Sequence, residues 1–189
     1  MQAGLLTTGP RGSQLWRASW KAGDPTAADR RVWDIDYRCD EVTFTPDDFR
    51  IPVADATSAL DSALEAVAEF SQLHELRPWD SVFVKARGLL GAESFEDLYH
   101  QDLFPEGQYD LASWQLAAVA QSAWVFGGMG SWNDLGFADA ETHTEYERLS
   151  RELFSAVTQG CMAAANGPLT GEGGRPQRHS WLRRRLLGD

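Results

Sequence analysis

The sequence has no apolar run near the ~20 residues that a helix needs to cross a bilayer, so no helical membrane span is expected. It has only two cysteines, Cys39 and Cys161, far apart in the chain. Two cysteines do not make a disulfide framework, and a reducing cytoplasm is the simpler expectation. The four histidines, His74, His100, His143 and His179, are scattered, and none stands at metal-ligand spacing from another histidine or a cysteine. There is no Gly-x-Ser-x-Gly nucleophile elbow and no Gly-Lys-Ser/Thr phosphate loop. The sequence therefore points to no metal, no cofactor and no catalytic residue. It also has no internal repeat. Residues 1–13 lack the apolar stretch and cleavage site of a signal peptide and are expected to be a disordered leader.

What is present is acidity, tryptophan and helical periodicity. The formal net charge is −11. Residues 168–189 carry five arginines against two acids, +3, so the other 167 residues sum to −14. Such a body repels a phosphate backbone, which argues against nucleic acid as its partner. Solubility is the ordinary reason for this acidity. The sharper reason is steering toward a basic partner. Eight tryptophans suit a filled core or an interface.

The length suggests one domain over 14–167, followed by a flexible basic tail over 168–189. Residues 14–31 mix tryptophan with basic residues before Gly23-Asp24-Pro25, and an irregular arm is expected. Trp33, Ile35, Tyr37 and Cys39 alternate with Asp34, Asp36 and Arg38, the two-residue period of a half-buried strand. Asp40-Glu41 would turn that strand back through 42–45 as a small hairpin.

From Asp55 the pattern becomes helical. Leu60, Ala63, Leu64, Val67, Phe70 and Leu73 recur every three or four residues, with Asp55 or Ser58 as cap and Pro78 as the end. A shorter helix is expected over 79–90, closed by Gly91, and a turn from Ser94 into the loop at 105–107. Residues 111–126 contain no charge, so this helix should be the most buried, stopped by Gly127-Gly128. The last helix should run over 141–166, with Tyr146, Leu149, Leu153, Val157, Cys161 and Ala164 inward. The fold class expected is mainly α, a compact helical bundle with room for a small N-terminal β-hairpin.

Two constellations stand out. Asp61, Glu65 and Glu69 form an acidic ladder at i, i+4 spacing on one helix face. A solvated face is the ordinary reading, and charge matching to a basic partner the sharper one. Asp34 and Asp36 form a second acidic pair, sharing a face if 33–39 is a strand. The other constellation is the corner Gly127, Gly128, Ser131, Trp132, Asn133 and Asp134. Ser131 stands three residues before Asp134, as in a capping box, and Trp132 would close over the core.

The run FGGMGSWNDL at 126–135, before a helix reading EYERLSRELFSAV, resembles a family of small bacterial helical domains of unknown function. Those domains carry a similar Gly-Gly-Met-Gly-Ser-aromatic-Asn-Asp corner, and the likeness covers about 109–165. It implies a helical fold and a bacterial source, and it associates the chain with immunity proteins of toxin systems. It assigns no residue a role.

The function expected is a non-enzymatic acidic binding protein, of the kind that neutralises a basic bacterial toxin. Asp61, Glu65, Glu69, Asp34 and Asp36 are its candidate contacts with a basic protein. The alternatives are a small carboxylate-dependent hydrolase with its site near the Asn133-Asp134 corner, or a subunit of a larger assembly. Oligomeric state is not legible in the sequence.

Overall fold

The computed structural model describes residues 4–26, 28, 32–95, 98, 109–127 and 129–167. The chain divides into two compact units, Met1–Arg50 and Ile51–Asp189. Among the described residues it is thus mixed: a small antiparallel sheet in the first unit and four α-helices in the second, not a helical bundle alone.

The sheet unit holds β1 (Leu5–Gly9), β2 (Gly12–Ala22) and β3 (Trp33–Val42) in the order β1-β2-β3. Gly9 pairs with Gly12 across a two-residue turn of Pro10 and Arg11, and Gly12 takes φ +114°, which glycine adopts without strain. Strand β1 falls inside the stretch expected to be a disordered leader. Strand β2 replaces the expected irregular arm. The reason is a period of two: Trp16, Ala18, Trp20 and Ala22 share one face, while Leu15, Arg17, Ser19 and Lys21 share the other.

The expected hairpin inside 33–45 does not form. Strand β3 runs straight through Asp40-Glu41 and pairs with β2, Trp16 opposite Cys39 and Trp20 opposite Ile35. Without glycine or asparagine, that dipeptide has no cheap route into a tight hairpin turn. Arg17 and Arg38 both bind the Asp40 carboxylate, which holds Asp40 on the sheet and its pKa below the usual carboxylate value. Beyond β3, a single 3₁₀ turn at Pro46–Phe49 sets Phe49 edge-on to Phe44, with ring centres 5.0 Å apart.

In the helical unit, α1 (Val53–Leu73) packs against α2 (Trp79–Gly88) and α4 (Ala140–Ala165), and α3 (Leu111–Ser122) packs against α4. Leu60, Leu64 and Val67 of α1, Phe83 of α2, Leu116 and Val119 of α3, and Leu153 and Val157 of α4 are fully buried. The shorter helix expected over 79–90 is α2, continued by a 3₁₀ turn at Leu89–Gly91.

Several ends differ from expectation. Helix α1 starts at Val53 behind Pro52, and neither Asp55 nor Ser58 caps it. Leu73, expected on its apolar stripe, is 77% exposed in the last turn. Helix α3 opens with the Asp110 carboxylate accepting from Ser113 N–H at 2.7 Å. It stops at Ser122, short of Gly127-Gly128, because the chain straightens so that Val125 C=O accepts from Trp132 N–H at 3.1 Å.

Helix α4 has a stripe that departs from the expected one at Cys161, which is exposed. Leu149, Leu153, Val157 and Cys161 are spaced by four, and each such step drifts about 40° around a helix of 3.6 residues per turn. The core side corrects by stepping from Val157 to Gly160 and Ala164, all three buried. The turn after Ser94 lies partly outside the described residues. The loop at 105–107, Gly128 and the tail over 168–189 lie wholly outside them.

Candidate binding groove

Helices α1 and α4 leave an open groove of about 920 Å³ between them. Its apolar floor includes Ala66, Phe70 and Leu149. Its polar and charged lining comes from Glu69 and His74 on and just after α1, and from Asp139, Glu141, Glu145 and Arg148 at the start of α4. Helical periodicity produces this: Glu141, Glu145 and Arg148 recur at spacings of four and three, beside the inward Tyr146 and Leu149.

The charges are unequal in freedom. Arg148 is held by Glu145 at 2.6 Å and by Glu152 at 2.6 Å, so the one arginine of the groove is already committed. These carboxylates raise the Arg148 pKa, and Arg148 in turn lowers that of Glu145. Asp139 caps α4, accepting from Thr142 N–H at 2.7 Å; that bond, above all, lowers its pKa. The His74 ring lies against Phe70, with ring centres 4.4 Å apart, and against Phe137 at 5.8 Å. Glu69 and Glu141 have no ion-pair partner among the described residues, and both are exposed. The groove therefore presents net negative charge with two unpaired carboxylates.

The acidic ladder is divided. Arg87 of α2 donates to Asp61 at 2.5 Å and to Glu65 at 2.8 Å. This clasp between α1 and α2 raises the Arg87 pKa through the Asp61 bond first, then Glu65. Two of the three ladder carboxylates thus meet a cation of their own chain. Glu69 does not, and it lines both the α1/α4 groove and a smaller cleft of about 380 Å³ between α1 and α2.

Asp34 and Asp36 do share one face of the sheet, but three cations share it with them. Lys21 stands opposite Asp34 and 3.6 Å from Asp36, and Arg17 and Arg38 flank Asp40. The residues that line the α1/α4 groove belong to the helical unit, and Asp34 and Asp36 belong to the sheet unit.

The Ser131 corner is a structural knot. Ser131 and Asp134 form the capping box expected of them around a 3₁₀ turn at Trp132–Asp134. The Asn133 Oδ1 accepts from Gly127 N–H at 3.2 Å and from Ser131 O–H at 2.6 Å. Trp132 is fully buried, its indole N–H donating to Ser150 Oγ at 2.8 Å and its C=O accepting from Tyr146 O–H at 2.7 Å. Burial raises the Tyr146 pKa. Trp132 also stands edge-on to Phe83 at 5.0 Å and Trp79 at 5.8 Å. Asn133 Oδ1 and Asp134 Oδ2 thus both help to hold the turn.

Sequence reasoning passed over His74, Asp139, Glu141 and Glu145. Glu141 and Glu145 have the same i, i+4 spacing as the ladder, so a signal was present. Their position across from Glu69 is tertiary, and no single-helix pattern reveals it. His100 and His179 lie outside the described residues. Among the described residues no three His, Cys, Asp or Glu side chains gather as metal ligands, and no helix is long and apolar enough to cross a membrane. No family model, curated protein or solved structure matches the chain.

Proposed function

We propose that this chain is a non-enzymatic binding protein whose acidic helical unit captures a basic protein, in the manner of a bacterial immunity protein acting in the cytoplasm. One observation carries the reading: the α1/α4 groove holds Glu69 and Glu141 exposed and, among the described residues, without an ion-pair partner, while its arginine is neutralised within α4. Desolvated, unmatched carboxylates are costly in an interface unless a cation meets them, so this lining favours lysine or arginine on the partner. The charge of the unit points the same way. Residues 51–167 hold eighteen acids against five bases, a net −13, whereas residues 1–50 hold eight against seven. Negative charge of this size speeds encounter with a basic protein.

The contacts proposed are Glu69 and Glu141, with Glu145 and Asp139 beside them. Asp61 and Glu65 serve the α1–α2 clasp first. The test is to co-purify the protein with products of the genes neighbouring its own, then measure affinity for the partner found. Glu69→Lys with Glu141→Lys should weaken binding by roughly 100-fold, the scale of two close charge pairs reversed. Asp34→Asn with Asp36→Asn should leave it unchanged. An affinity indifferent to the groove reversal would sink this reading.

A further inference from the structure

The sheet unit presents an uncovered aromatic face. Pairing puts Leu5, Trp16, Trp20, Trp33, Ile35, Tyr37 and Cys39 on the same side of β1, β2 and β3. Trp20 is 60% exposed, Trp33 56% and Tyr37 68%. Trp20 and Trp33 meet edge to face at 6.4 Å on that side. The half-buried Leu6, Leu15 and Val42 lie on the opposite side. A three-stranded sheet of this size needs a buried apolar face to be stable, and its most aromatic face is the open one.

We infer that this face is the contact surface for a second copy of the same chain, two sheets packing face to face as a sandwich. Area supports it. At roughly 150–250 Å² per large aromatic, the exposed parts of these side chains amount to roughly 700 Å². That exceeds the roughly 300–600 Å² of the largest patch on an ordinary monomer. Doubled, it falls in the roughly 1,200–2,000 Å² range of stable protein interfaces.

Charge supports it too. The helical unit repels its own kind, but residues 1–50 sum to −1. The cations Arg17, Lys21 and Arg38 all lie on the opposite face with their aspartate partners. The aromatic face is left with Glu41 at one end as its charge on β2 and β3. A base-stacking sheet would need cations beside its rings, and among the described residues of β2 and β3 none lies on that face. A surface whose middle carries no charge is self-compatible and fits an identical one, related by a two-fold axis. This association is independent of the acidic groove.

The test uses the full chain. Light scattering and sedimentation equilibrium across a dilution series should show a reversible dimer. Trp20→Glu or Tyr37→Glu should weaken it by roughly 100-fold, as expected for a central aromatic anchor. Ser19→Glu, on the opposite face of β2, should not. Circular dichroism of each variant checks that the fold survives. Maleimide labelling gives a second readout that needs no variant. Cys39 belongs to the aromatic face and Cys161 to α4, and both are exposed and free. Cys39 should be protected at high concentration and reactive on dilution, while Cys161 stays reactive throughout. A monomer at every concentration, or a dimer unaffected by Trp20→Glu and Tyr37→Glu, overturns the proposal. So does Cys39 protection that does not change with dilution, which would mean the face is covered within one chain.

Discussion

Trp132 is fully buried, yet its indole N–H donates to Ser150 Oγ and its backbone carbonyl accepts from Tyr146 O–H. Around it stand Phe70, Trp79, Phe83 and Tyr146, the first three edge-on. This side chain joins the corner to α1, α2 and α4 at once, so its removal leaves a cavity with walls on three helices. Trp132→Ala should cost about 3–5 kcal/mol, read as a lower urea midpoint with an unchanged slope. A loss under about 1 kcal/mol would mean that the neighbouring rings collapse into the space. Glu69 is the opposite kind of residue. It is exposed and has no ion pair among the described residues, so removing its charge should leave stability unchanged and show itself in binding alone.

Within α4, the exchange of Cys161 for Gly160 on the inward face shows what a helix must satisfy that its own sequence does not display. A side-chain β-carbon at Gly160 would lie 3.3 Å from Leu116, 3.4 Å from Leu60 and 3.5 Å from Ala120. Helices α1, α3 and α4 approach so closely there that only hydrogen fits comfortably. Gly160→Val should therefore destabilise by about 1–3 kcal/mol through overpacking, as measured by thermal or urea unfolding. Cys161→Ala, one position on, should cost almost nothing. From the sequence, Cys161 is the natural member of an apolar stripe, and Gly160 is a helix-weakening residue without a purpose. Helix α3 was legible because its sequence carries no charge, and α1 and α4 because their apolar spacing is local. The Ser131–Asp134 box was legible for the same reason. Strands β1 and β2 were not, since basic residues on one face and a nearby Pro-Gly cluster concealed a two-residue alternation. Pairing Asp61 and Glu65 with Arg87 needed α1 beside α2, and placing Glu141 across from Glu69 needed α1 beside α4. Those are properties of packing.

For the molecule as a whole, charge and apolar surface are sorted between the two units. The sheet unit is nearly neutral with an open aromatic face, and the helical unit carries −13 over residues 51–167. Ion pairs relieve only part of that field. Among the described residues Arg87, Arg148 and Arg151 engage Asp61, Glu65, Glu145, Glu147 and Glu152, leaving most of the described acids of that unit without an arginine. Salt acts on both interactions, since it screens repulsion among like charges and attraction within exposed pairs alike. With net charge this large, repulsion is the greater sum. Raising ionic strength from about 0.01 M to about 0.2 M shortens the screening length from roughly 30 Å to under roughly 10 Å. The thermal midpoint of the helical unit should then rise by roughly 3 °C, the shift that about 1 kcal/mol produces at this size. A falling midpoint would mean that the arginine clasps outweigh the repulsion. The same titration bears on the proposed capture of a basic partner, with the opposite sign. Salt that stabilises the free protein should weaken the complex, because the charges that repel one another in isolation are those a cationic partner would meet. A complex whose affinity holds across that range would rest on apolar contact, and the acidity of the helical unit would then need another reason.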